Sequence, residues 1–205
     1  MSTRRAVIGG LLAAPAWGAH AALPPGEALA RAARAQVGVT TGYDPAYVRL
    51  AYPGGDLPRS TGVCCDVVIR AARDAWRVDL QRLIHEDMVA NFGAYPQAWS
   101  LTKPDTNIDH RRVLNLETYW ARRGAQVWRS KRPAFGQGSP GSLAVGDILT
   151  WRLLIGDRPH VGIVTAAGDA PRVVHNIGQG AREESLGLLW NLKPVGHYRW
   201  RPRPT

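Results

Sequence analysis

The chain has 205 residues, 26 Lys and Arg against 16 Asp and Glu, a net charge of +10, and only two cysteines. That length suits one domain with its own core, and no internal repeat or low-complexity segment interrupts it. The arginines are scattered and no nucleic-acid-binding signature is present, so the charge points to anionic cell-wall or membrane surfaces rather than to nucleic acid, or serves solubility.

The N-terminus reads as an address. Arg4-Arg5 form a basic start, Ala6 to Ala16 a short apolar stretch, and Ala19-His20-Ala21 a small-x-small cleavage site. The stretch is too short to span a bilayer. Thr3-Arg4-Arg5 leaves Sec and twin-arginine export both open. The expectation is a secreted or periplasmic protein: residues 1–21 a signal peptide, residues 22–205 a single domain with no stable membrane insertion. Its charge falls to near +8, because the leader takes Arg4 and Arg5 with it.

From Gly26 to Gly124 the apolar spacing is mostly helical. A helix is predicted over Glu27–Val37, then a long loop over Thr41–Arg59 carrying Tyr43, Tyr47 and Tyr52. The next helix opens at Cys64, with Val67, Val68, Ala71, Ala72 and Ala75 as its apolar stripe and Arg70, Arg73, Asp74 and Arg77 facing away. Further helices are predicted over Leu80–Phe92 and Leu116–Arg123, the second ended by Gly124.

Pro133 to Gly141 reads as a linker within the domain. Beyond it the period shortens. Strands are predicted over Ile148–Leu154, His160–Thr165, Arg172–Ile177 and Gly196–Trp200, the first three preceded by Gly-Asp turns, as an antiparallel meander. Helices followed by strands make the fold class α+β.

The chemistry begins at Cys64-Cys65. Adjacent Cα atoms lie about 3.8 Å apart, whereas a relaxed disulfide needs roughly 4.4–6.8 Å, so the pair supplies free thiol at a helix start, where backbone N–H groups favour thiolate. A thiol nucleophile needs a base and a group to orient that base. His160 starts one predicted strand and His175 lies in the next, and an antiparallel turn can bring them to one face; one histidine can then act as base while the other, or Asn176, fixes its tautomer. Asp66 in the first helical turn is a capping or dipole partner by default. Asp109 and Arg111 sit in a polar loop, where they either grip a substrate carboxylate or brace the loop. The three tyrosines, Tyr43 foremost, either wall a cleft or pack the loop. His85-Glu86-Asp87 lacks metal-ligand spacing, and neither metal nor cofactor is expected.

Two resemblances follow from the motifs. Val145-Gly146-Asp147-Ile148-Leu149-Thr150-Trp151, with Pro159-His160-Val161-Gly162-Ile163-Val164 and Val173-Val174-His175, resembles the NlpC-type branch of the papain-like cysteine peptidases. More closely, Tyr43-Asp44-Pro45, Tyr52-Pro53-Gly54-Gly55-Asp56, Gly62-Val63-Cys64, Asn107-Ile108-Asp109-His110-Arg111-Arg112 and His175-Asn176-Ile177-Gly178 resemble the bacterial domain-of-unknown-function family 1287, over about Ala35 to Trp200. The family label carries no activity. The papain-like resemblance implies a papain-like (NlpC-type) fold with N-terminal helices on a C-terminal sheet. It implies Cys64 as nucleophile ahead of Cys65, His160 as base and His175 as orienting residue. The implied function is an amidase or endopeptidase acting on peptidoglycan stem peptides. Acyl transfer by the same residues, or a non-catalytic cell-wall binding module, are the alternatives. Position 65, usually Thr or Ser in such motifs, is here a second Cys.

Mass spectrometry of the exported protein is expected to find a chain that begins at Ala22. An intact N-terminus in a cytoplasmic fraction would overturn the export reading.

Overall fold

A six-stranded antiparallel sheet and four main helices hold most of the regular structure in the computed structural model, which describes residues 22–131, 141–189 and 192–201. The expected leader and nearly all of the expected linker lie outside the described residues. The class is α+β, as the change of period requires.

The helices begin and end where local chemistry permits. Helix α1 (Pro25–Arg34) has Pro in its first turn, where the missing N–H is harmless, and Arg31 and Arg34 in its last, beside the negative dipole end. Helix α2 (Cys64–Trp76) stops at Arg77, whose left-handed φ of 59° breaks the ladder. The Asp79 side chain caps α3 (Leu80–Asn91) by accepting from the Gln81 N–H. Helix α4 (Val113–Arg122) starts three residues before the predicted position and gives way to Gly124 at φ 69°.

The strands are β1 (Gln126–Arg129), β2 (Ile148–Arg152), β3 (Pro159–Ala166), β4 (Arg172–Asn176), β5 (Ala181–Ser185) and β6 (Lys193–Tyr198), in the order β1-β6-β2-β3-β4-β5. A four-residue helix, α5 (Leu186–Leu189), follows β5. The expected meander holds for β2 to β4, and the unpredicted β5 extends it. The last strand departs from it: β6 returns to pair with β2 on the side away from β3, and β1 pairs with β6. Neither β1 nor β5 is legible from alternation, since each is a short edge strand with few buried side chains.

Both faces of the sheet are covered. Val161, Ile163 and Val174 pack on Leu29 and Ala33 of α1 and on Val67, Val68 and Ala71 of α2. The alternate residues Leu149, Trp151, Val164 and Val173 form a second cluster with Leu186 and Leu189 of α5. Burial of this kind stabilises by roughly 25 cal/mol per Å² of apolar surface, and it does so here with both cysteines free.

One expected solvent-facing residue is in the core. Arg70 is 0% exposed and sends its guanidinium into the 41–59 loop, bonding Asp56 (2.9 Å), Thr40 Oγ1 and the Leu57 carbonyl. The loop carries backbone carbonyls that need donors, and a helix arginine supplies them.

Asp147, at the Gly-Asp turn before β2, is fully buried and accepts from His197 Nε2 (2.8 Å), Arg199 Nε (2.9 Å) and the Ala144 N–H (2.7 Å). Burial alone would raise its pKa, but these bonds outweigh it and hold the carboxyl at about 2. A carboxyl whose folded pKa lies below its unfolded value adds stability above pH ~4 that is lost as pH falls toward 2, here about 2 kcal/mol. Asp147→Asn should therefore lower the melting temperature at pH 7 and flatten its decline between about pH 4 and 2. Thermal denaturation across that range checks both.

Candidate active site

The start of α2 is held from three directions. The Asp66 carboxylate folds back to accept the Val63 N–H at 2.6 Å and meets Arg111 Nε and Nη2 at 3.1 Å each. Arg111 also donates to the carbonyls of Asp44 and Ala46. Across the sheet, Asn176 Nδ2 donates to the carbonyls of Gly42 and Gly62, at 3.1 and 2.9 Å. The segment leading into Cys64 is thus pinned to the last residue of β4.

The two histidines meet through register. Ile163 pairs with Val174, which puts His175 across from Gly162 on the face that also carries His160. Their rings stand nearly perpendicular, with His160 Nε2 3.0 Å from His175 Nδ1. Gly162 makes room for this: a Cβ there would lie 2.6 Å from Val173 Cγ1 and 3.1 Å from His175 Cβ. His160 and His175 are 2% and 1% exposed, and Trp151, opposite His160 on β2, shields the first ring.

Cys64 hydrogen-bonds the side chain of His160 and the backbone N–H of Val161. Since His160 Nε2 is engaged by His175, Nδ1 is the nitrogen left for the sulfur. The Cys64 thiol is pulled well below its ordinary pKa, first by the hydrogen bond from Cys65 and then, against burial, by His160 and the Val161 N–H. Cys65 moves the other way: burial, then its bond to Cys64, push it well above the ordinary thiol range. Burial, followed by the neighbouring His160, lowers His175 to about 4, so this ring is neutral near pH 7.

A cleft of about 200 Å³ opens in front of Cys64, walled by Tyr43, Pro45, Trp99, Ile108, Arg112 and Pro159 among others. Burial and the neighbouring sulfurs raise Tyr43 to about 12, so its phenol stays protonated as a donor beside the thiol.

The structure thus brings Cys64, His160, His175 and Tyr43 to one place. Asp109 is buried away from the cleft lining, accepting from the Asp105 N–H and Arg112 Nη1. Arg111 touches the cleft, but its donors go to Asp66, Asp44 and Ala46. Both therefore have the partners of a loop brace rather than of a substrate grip. Tyr47 and Tyr52 also brace, the first on Asp105 and Asn107, the second against His85. Asn176 anchors the loop, and it is His175 that meets the His160 ring.

Three features escape sequence reading. Trp99 closes the cleft from a left-handed backbone (φ 73°), a conformation rare for bulky residues, and Arg112 stacks on its indole at 4.2 Å. Cys65 acts on Cys64 as a donor. Glu184 stands 3.2 Å from His175 Nε2.

Gly162→Ala should displace His175 and slow alkylation of Cys64 by iodoacetamide at pH 6 at least tenfold, with about 1–3 kcal/mol of overpacking. Rates measured against pH, alongside chemical denaturation, separate the two effects. An unchanged rate would show that the His160–His175 contact tolerates a side chain at position 162.

The chain matches the family described as a domain of unknown function, DUF1287, over residues 30–200. It is 52% identical over 176 residues to the "Uncharacterized protein YijF" of Escherichia coli (strain K12), covering 84% of this chain and 80% of that protein. On both grounds, the chain belongs to the DUF1287 family.

Proposed function

We propose that this protein is a periplasmic cysteine hydrolase of papain-like, NlpC-type fold that cleaves amide bonds in peptidoglycan stem peptides. The observation that carries the reading is the line of Cys64, His160 and His175 behind an open cleft. The basic leader-like start and the positive charge support an address at the anionic cell wall. Among the described residues no helix is long and apolar enough to cross a membrane.

The steps follow from the arrangement. The Cys64 thiolate attacks the carbonyl carbon, and the carbonyl electron pair moves to oxygen. The first N–H groups of α2, which have no intrahelical acceptor, are the donors on offer to that oxyanion. Collapse expels the amine, which takes its proton from the His160 imidazolium, and leaves a thioester. His160, now neutral, takes a proton from water as the water attacks. The second collapse releases the acid and restores thiolate and imidazolium. His175 holds the His160 ring throughout.

Mature protein incubated with whole peptidoglycan is expected to release peptide fragments that carry new free carboxyl and amino ends, read by mass spectrometry. Cys64→Ser should lower release at least 10³-fold, and Cys65→Ser should keep most of it. Products joined to an added amine would mark acyl transfer instead. Unaltered peptidoglycan with retained binding would mark a wall-binding module.

A further inference from the structure

The strand β5 brings one more group to the line. Val173 pairs with Glu184 and His175 with Arg182, so alternate residues of β5 share the face of His175. Glu184 Oε2 lies 3.2 Å from His175 Nε2, with the carboxylate side chain 31% exposed and the imidazole nearly enclosed. Four side chains from α2, β3, β4 and β5 therefore run in sequence from Cys64 to the sheet edge.

We propose that Glu184 is a positioning residue that sustains the Cys64 thiolate through the two histidines, by fixing which nitrogen of His175 carries the proton. The inference rests on the hydrolase reading of the same site.

The reasoning is one of donors and acceptors. A neutral imidazole has one N–H and one lone pair. An ionised carboxylate only accepts, so the nitrogen facing Glu184, Nε2, must carry the hydrogen. That leaves Nδ1 of His175 as an acceptor toward His160 Nε2. His160 can then hold protons on both nitrogens, donating one to His175 and the other to the Cys64 sulfur. With the opposite tautomer, Nδ1–H of His175 would face His160 Nε2–H, and the imidazolium would have to give up a proton. The Glu184 charge adds a favourable field two rings from the thiolate, partly screened by solvent.

The groups facing this line are few. His175 sees His160 on β3, Cys64 on α2, Glu184 and, across the ladder, Arg182 on β5. Cys64 sees Cys65, His160 and Tyr43, with the Asp66–Arg111 pair behind and Arg158 on the β2–β3 turn near Tyr43. Glu183, the neighbouring acid, turns to the other face, where Arg34 and Thr165 hold it.

The test is the pH profile of iodoacetamide alkylation at Cys64 in the mature chain, for wild type, Glu184→Gln, Glu184→Ala and the control Glu183→Gln. Both Glu184 variants should react about three- to tenfold more slowly at pH 6 and regain the wild-type rate by pH 9, a displacement of about half to one pH unit. Ala should exceed Gln, whose amide oxygen still accepts. Nitrogen NMR should show the Nε2–H tautomer of His175 in wild type and its loss in Glu184→Ala. Glu183→Gln should leave the profile in place. If wild-type Cys64 is reactive at pH 6 but neither Glu184 variant displaces the profile, the role of Glu184 is overturned and the hydrolase reading stands. A loss equal at pH 6 and pH 9 also overturns it, as a merely structural effect. If wild-type Cys64 reacts only near the ordinary thiol pKa, the hydrolase reading itself falls.

Discussion

The buried pair of Asp66 and Arg111 is the constraint on which the site depends. Desolvation pushes the Asp66 carboxyl above the usual carboxylate range despite the guanidinium beside it, so the pair is expensive to bury. Its return is positional. One carboxylate caps the start of α2, and the same guanidinium draws in the Asp44 and Ala46 carbonyls. Removing one partner of such a pair typically costs 3–5 kcal/mol, because the other charge is left uncompensated. Here the loss would also free the backbone that presents Cys64 and the loop that presents Tyr43.

The charge state of the thiol then depends on a division of labour between neighbours. A buried thiol normally stays protonated, since burial disfavours the charged form. Cys64 escapes this by collecting donors: Cys65, His160 and the Val161 N–H. Cys65 is held as thiol by the burial that would otherwise silence Cys64. The adjacent cysteines are therefore not redundant, and serine at position 65 would supply a hydroxyl donor in the same place.

The sheet contributes alignment more than contacts. Short strands buried on both faces leave little freedom of register, because a slip by one residue would exchange Ile163 with Val164 and Val174 with Val173 between the two cores. The same slip would carry His160 and His175 to the wrong side. Register protection by apolar packing thus also protects the 3.0 Å contact between the rings.

Much of this was legible in the residues alone. Helix-forming periodicity placed α2 and its opening cysteines, turn residues placed β2 to β4, and the adjacency of Cys64 and Cys65 excluded a relaxed disulfide between them. These depend on local geometry, which sequence spacing encodes directly. What only the tertiary structure decided depends on contacts between residues far apart in the chain. Arg70 has the spacing of a solvent-facing helix residue, yet the loop at 56–58 offers it a carboxylate and carbonyls, and it is buried. Asp109 and Arg111 have the composition of a substrate grip, yet Asp66 and the backbone of the 41–59 loop reach Arg111 first. Glu184 and Trp99 carry no local signal at all, one lying on an edge strand and the other in a short turn. Which donor meets which acceptor is set by the fold, because a buried charge takes whatever partner the packing brings within hydrogen-bond distance.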